Sequence, residues 1–188
     1  SPLNALPVDL DVGTDREDLR DEAGYLGVRE PRLVGDDYFA MLDKFVASVK
    51  KRWPKAIIQW EDFAKDVAYA VLERYRKEIP SFNDDIQGTG AVVLAGLLSA
   101  CKMKGENLID QRIIVVGAGA GGVGVAKVIQ DGLVREGLSR EQARRVMFIM
   151  DEFGLVVEGV SPDEYKKPIM QFADTYADWD IAGEIPSL

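Results

Sequence analysis

The chain has 188 residues, 47% hydrophobic and 29% charged, with a formal net charge of -9. That is an ordinary globular composition, long enough for one large domain or parts of two. The acidity disfavours nucleic acid or an anionic membrane as the main partner, while a bound cation or a few arginines still allow small acidic substrates. With one cysteine, Cys101, and no histidine, an internal disulfide and imidazole chemistry within the chain are excluded. Any metal held here takes oxygen ligands, which favours Mg2+ or Mn2+.

The first segment, Ser1 to Pro7, is short and lacks a basic start, so no secretory signal is visible. A cytoplasmic, reducing setting is expected for the lone Cys101. Leu6 to Val12 shows partial alternation and reads as a strand. The Asp-, Arg- and Gly-rich stretch from Gly13 to Gly35 reads mostly as loop. Asp36 or Asp37 caps a predicted helix to about Arg52, with Phe39, Leu42, Phe45, Val46 and Val49 on one face and Trp53-Pro54 at its end.

Ala56 to Trp60 is a short strand candidate, with Glu61-Asp62 at its C-terminal end. A second amphipathic helix fits Ala64 to Lys77, using Ala64, Val67, Ala68, Val71, Leu72 and Tyr75. Asn83-Asp84-Asp85 begins a polar loop, and Gly88 to Met103 reads as a well-buried helix. Its longest apolar run, Ala91 to Leu98, is too short to span a bilayer. Lys104 to Asn107 resembles a boundary between units. Arg112 to Val116 then reads as a strand, Ala120 to Val134 as a helix, and Arg140 to Arg145 as a short helix capped by Ser139. Val146 to Met150 forms the next strand, ending at Asp151, and the tail after Ser161 shows no clear strand.

Two constellations carry chemistry. Glu61 and Asp62 are adjacent and would diverge in a regular strand, but a strand-to-helix turn brings both toward one crevice. Asp85 approaches from a second loop, and three carboxylates suit a hard divalent cation. The same acids equally well cap helices or line a solvated edge. The second constellation is Gly117-Ala118-Gly119-Ala120-Gly121-Gly122, directly after an apolar strand and before a helix. Gly117 permits a tight turn, Gly119 admits a pyrophosphate, Gly122 suits close helix–strand contact, and the amides from Ala120 and Gly121 open the helix. Asp151 is placed for an adenosine ribose, and Glu152 beside it opposes a 2′-phosphate, favouring NAD over NADP. FAD shares this opening geometry.

The combination resembles the malic enzyme family, with the malolactic enzymes as close relatives. The matching segments are Leu6 to Thr14, Tyr25 to Arg29, Gln59-Trp60-Glu61-Asp62-Phe63, Phe82 to Thr89, the Gly117 turn and Asp151 to Leu155. The resemblance implies that Glu61, Asp62 and Asp85 ligate the cation, that Asp84 helps arrange a catalytic lysine, and that Gly117 to Gly122 with Asp151 hold the cofactor. It further implies oxidation of malate by NAD, loss of carbon dioxide to an enolate, and protonation to pyruvate. The family's catalytic tyrosine and lysine find no match in these residues, so a middle part of a longer, homo-oligomeric enzyme is expected, inactive by itself.

Trp60 stands where many relatives have Phe, and Gly90 resembles some malolactic enzymes. Lys51 to Pro54 and Asp178 to Asp180 look more like bacterial NAD-linked malic enzymes. The expected architecture is α/β: a truncated three-layer, doubly wound parallel sheet of Rossmann type over 105–188, preceded by part of a metal- and substrate-binding α/β domain over 1–104. Conversion of malate to lactate and a noncatalytic dinucleotide-binding fragment stand as the alternatives.

Overall fold

The computed structural model describes residues 4–159 and 164–180, in two compact units, Ser1–Ala56 and Ile57–Leu188. In the first unit, helix α1 (Glu17–Asp21) is followed by α2 (Gly35–Arg52). α2 buries Tyr38, Leu42, Val46 and Val49, an i, i+4, i+8, i+11 stripe, while the expected Phe39 and Phe45 lie half-buried beside it. Neither Asp36 nor Asp37 is the cap. The helix starts at Gly35, and both acids lie in its first turn, opposite Lys50, Lys51 and Arg52 in its last. That distribution complements the helix dipole.

The expected strand at Leu6 to Val12 is irregular chain, because no neighbouring strand offers it a ladder among the described residues. Its end is held instead by Leu33 N donating to Val12 O at 2.7 Å and by one side chain. The Asp11 carboxylate accepts from Gly13 N at 2.9 Å and Val28 N at 2.6 Å, and these two bonds hold it below the usual carboxylate range. Arg29 donates to the carbonyls of Arg20, Glu22 and Tyr25 at 2.5, 2.8 and 3.2 Å, closing the end of α1.

The second unit contains two small sheets. Strand β1 (Ile58–Trp60) leads into α3 (Lys65–Tyr75) and returns to β2 (Ser81–Asn83), which pairs with β1 in parallel, Trp60 opposite Asn83. The sequence signals missed β2, since three residues are too few for a period. Asp84–Gly88 is a π-helical turn rather than a loop, and it runs straight into α4 (Thr89–Lys104). The left-handed Gly105 (φ 70°) ends α4, so Lys104-Gly105 marks a helix cap.

Strand β3 (Ile113–Val116) leads through α5 (Ala120–Arg135) and α6 (Arg140–Arg145) to β4 (Met147–Asp151), parallel to β3. A two-residue strand β5 (Gly154–Leu155) then adds antiparallel to β4. Ser139 caps α6 as expected, in a capping box completed by Gln142. The main core lies between this sheet and α5: Val123, Ala126, Ile129 and Leu133 meet Ile113, Met147 and Ile149. The tail beyond is tied down by buried Gln171, whose amide donates to Arg144 O and Met147 O, both at 2.8 Å, and accepts from Phe172 N and Thr175.

The expectation that α4 is well buried does not hold. Only the face with Gly90, Val93, Leu94, Leu97 and Cys101 packs against α5 and its core, whereas Val92 is 73% and Met103 88% exposed. The helix is apolar all round, so its sequence carries no period to show which face is covered. Counted with the π turn, Asp84–Lys104 is long and apolar enough to cross a membrane by length and composition, although the run of purely apolar residues is shorter. On the sheet, Ile114 and Val116 of β3 are likewise exposed, at 65% and 67%, on the face away from α5.

Candidate functional site

The parallel pairing of β1 and β2 decides where the acids go. Both strands end side by side, so the residues after Trp60 and after Asn83 emerge at one edge. Trp60, 2% exposed, is wedged between Phe63 and Tyr75 with ring centroids 5.6 Å from each, which anchors the strand end. Asp62 then adopts φ 60°, the single described non-glycine residue with positive φ. Asp tolerates that left-handed conformation at a cost of about 1–2 kcal/mol. The kink is what defeats strand alternation and sends adjacent Glu61 and Asp62 to one side.

Asp85 completes the group. Its Oδ2 accepts from Asp62 N at 3.0 Å, and one carboxylate oxygen each from Glu61, Asp62 and Asp85 lies within 4.8 Å of the others. Glu61 is oriented by Gln59 Nε2 at 2.9 Å. The π turn carrying Asp85 is itself fixed reciprocally: Asn83 Oδ1 accepts from Ile86 N, and Gln87 Oε1 accepts from Asn83 N, both at 3.0 Å. Asp84 is outside the trio, its carboxylate folded over the space beside Gly88.

At the end of β3, Gly117 (φ 108°) donates to Met150 O at 2.8 Å and turns the chain into α5, with Gly119 as N-cap. The glycines here differ in purpose. A Cβ at Gly122 would lie 1.9 Å from Gly117 O, and one at Gly124 2.4 Å from Ile86 O. These two are demanded by protein packing, one closing the turn and the other seating α5 against the π turn. A Cβ at Gly119 meets nothing within 4 Å, and one at Gly121 only Asp85 O at 3.7 Å. Nothing in the protein requires those two to be bare, so the space beside them is open to a ligand. The Gly121 neighbour also places the dinucleotide-type turn directly against the acid-bearing turn.

Asp151 ends β4, beyond the strand that carries the glycine turn. It is 2.5 Å from Lys166 Nζ, with side chains only 21% and 7% exposed, and it accepts from Glu152 N at 2.6 Å. Residue order pointed to Glu152 alone as the neighbouring charge and missed Lys166. A residue 15 positions on, in an irregular tail, gives no local signal. Tyr69 and Tyr165 give none either, because their hydrogen bonds to the turn span 51 and 47 positions.

Fold and site together define the class: an α/β protein whose parallel β3–α5–β4 unit opens a doubly wound, dinucleotide-type domain, with clustered acids at an adjacent strand edge. Comparison with known proteins narrows this. Residues 86–186 match the malic enzyme NAD-binding domain, and residues 1–76 the malic enzyme N-terminal domain. The chain belongs to the malic enzyme family. Among its relatives are NAD-dependent malic enzymes of Colwellia psychrerythraea, 43% identical over all of this chain, and Escherichia coli, 42% identical. The chain spans 34% of the length of each. The crystal structure of a Thermotoga maritima NAD-dependent malic enzyme matches 75% of the chain and 36% of its own at 26% identity, TM-score 0.56. An Entamoeba histolytica malic enzyme matches 74% of the chain and 28% of its own at 24% identity, TM-score 0.56, a likeness of fold.

Proposed function

We propose that this chain supplies the cation-holding acids and the cofactor turn of an NAD-dependent enzyme that oxidatively decarboxylates malate to pyruvate and carbon dioxide. One observation carries the reading: the three converging carboxylates abut a glycine turn whose open positions, Gly119 and Gly121, have no packing reason to be glycine. The donor set fits the group it is assigned. Oxygen atoms within 4.8 Å of one another match the span of ligands around a cation bound at about 2.0–2.6 Å. Glu61 and Asp62 are exposed and Asp85 half-buried, leaving an open side for substrate.

Glu61, Asp62 and Asp85 would hold a divalent cation, which would supply Lewis acidity toward the oxygen of a 2-hydroxy acid. NAD, bound at the turn, supplies the hydride acceptor. The chain's own residues position both. The kinked Asp62 and the reciprocal Asn83–Gln87 bonds hold the acids, and the first amides of α5 offer the pyrophosphate unpaired donors at the positive end of the helix. Asp151 lies on the adenosine side, its charge balanced by Lys166. We place the metal- and substrate-binding part in 1–104 and the cofactor part in 105–188, and assign Asp84 to arranging a catalytic lysine from elsewhere in the enzyme. The same reading makes the enzyme cytoplasmic and homo-oligomeric, in keeping with the family.

The test is a product assay on the full-length protein with malate, NAD and Mn2+ or Mg2+. Equimolar NADH and pyruvate are expected. Lactate without net NADH would overturn the oxidative reading.

A further inference from the structure

We propose that Tyr69 and Tyr165 are positioning residues for the dinucleotide turn, a stacked pair that draws its carbonyls to one side and so presents its amides on the other. The inference deepens the cofactor reading and rests on it for its consequence in NAD binding. Tyr69 comes from α3 and Tyr165 from the 3-10 turn Glu164–Ile169, yet their rings stack with centroids 5.2 Å apart and planes 21° from parallel. Tyr69 Oη donates to Ala120 O at 3.1 Å, and Tyr165 Oη donates to Ala118 O at 3.3 Å. Lys127 Nζ, further along α5, sits 4.4 Å from the centre of the Tyr69 ring and holds the stack against the helix.

The consequence arises from peptide geometry. In a trans peptide the C=O of one residue points opposite to the N–H of the next, and the described chain contains no cis bond. Fixing Ala118 O therefore aims the Gly119 amide away from the tyrosines, and fixing Ala120 O does the same for Gly121. Both glycines have open space beside them, Gly121 with only Asp85 O nearby at 3.7 Å. Gly119 is the N-cap and Gly121 lies in the first turn of α5, where N–H groups have no acceptor within the helix.

There is a further reason for such a device. Glycines let a ligand approach the backbone closely, but they also give the loop the greatest freedom to lose on binding. Two hydrogen bonds from bulky, stacked rings remove part of that freedom beforehand. Tyr69 also belongs to the helix after Glu61-Asp62, so one side chain links the acid-bearing strand end to the cofactor turn.

Tyr69→Phe and Tyr165→Phe in the full-length enzyme separate positioning from packing, because each keeps its ring and loses only its hydroxyl. In cofactor-free protein, amide hydrogen exchange across 118–122 is expected to rise several-fold in either variant, with β4 and the body of α5 unchanged. Calorimetric NAD affinity should fall about three- to tenfold, the range of one lost hydrogen bond, and KM for NAD should rise while KM for malate holds. Unchanged exchange and unchanged NAD affinity in both variants would overturn the proposal. Faster exchange in the variants with no NAD binding by the parent protein would keep the tyrosines' hold on the turn and remove the cofactor reading instead.

Discussion

The ends of β1 and β3 occupy equivalent places, each the C-terminal edge of a parallel strand leading to a helix, yet they present opposite charge. Both need one residue in the left-handed region to leave the strand. At β3 it is Gly117 (φ 108°), and the turn beyond it carries no charged side chain and runs into the N-terminus of α5. At β1 it is Asp62 (φ 60°), so the kink itself carries a carboxylate. One edge becomes attractive to a phosphate, the other to a cation, from a single backbone manoeuvre executed with different residues. The acid edge carries a strained non-glycine residue and the glycine edge does not.

The comparison breaks most sharply at Asp85. Asp85→Ala removes one of three converging carboxylates and the acceptor of the Asp62 amide. Metal-dependent turnover of the full-length enzyme should fall by at least about a hundredfold, with circular dichroism and NAD affinity little changed. Unaltered activity and cation affinity would remove Asp85 from the site.

The glycine edge is sharpened by a pair of variants. Gly122→Ala forces a Cβ onto Gly117 O and should lower stability by about 1–3 kcal/mol in denaturant unfolding. Gly119→Ala meets nothing in the protein and should unfold within about 0.5 kcal/mol of the parent. It should nevertheless weaken NAD about tenfold or more by filling the ligand's space. Equal effects on stability would erase the distinction between packing and binding glycines.

The smallest expected effect tests the strain directly. Asp62→Gly relieves the left-handed conformation and should raise stability by about 1 kcal/mol, while cation affinity, read by calorimetry with Mn2+, falls. A loss of stability would mean that the kink is not strained.

Wherever a segment declares itself locally, the sequence was a good guide. The amphipathic period of α2 and α3, the Ser139–Gln142 box before α6, and the apolar strand running into glycines at Gly117 were all legible because each depends on neighbours within a few positions. Leu6 to Val12 shows the limit of the same reasoning. Its alternation suits a strand, but strand formation needs a partner ladder, and the segment's end is tied instead by the Asp11 side chain and by Leu33 N donating to Val12 O. The uniformly apolar α4 failed for a related reason, since which face is covered depends on where α5 lies.

The acids, the glycine turn and Asp151 were each identifiable as residue types in a pattern, and so was the kind of ion or phosphate each would suit. Residue order allowed Asp85 to approach Glu61 and Asp62 but did not fix how they meet. The register of β1 against β2 brings Asp85 to Glu61 and Asp62, a bare Gly124 seats α5 on Ile86, and Lys166 and Tyr165 return from the tail to Asp151 and the turn. Such contacts join residues far apart in the chain. Only packing of whole elements selects them, because no local preference encodes a distance across the fold.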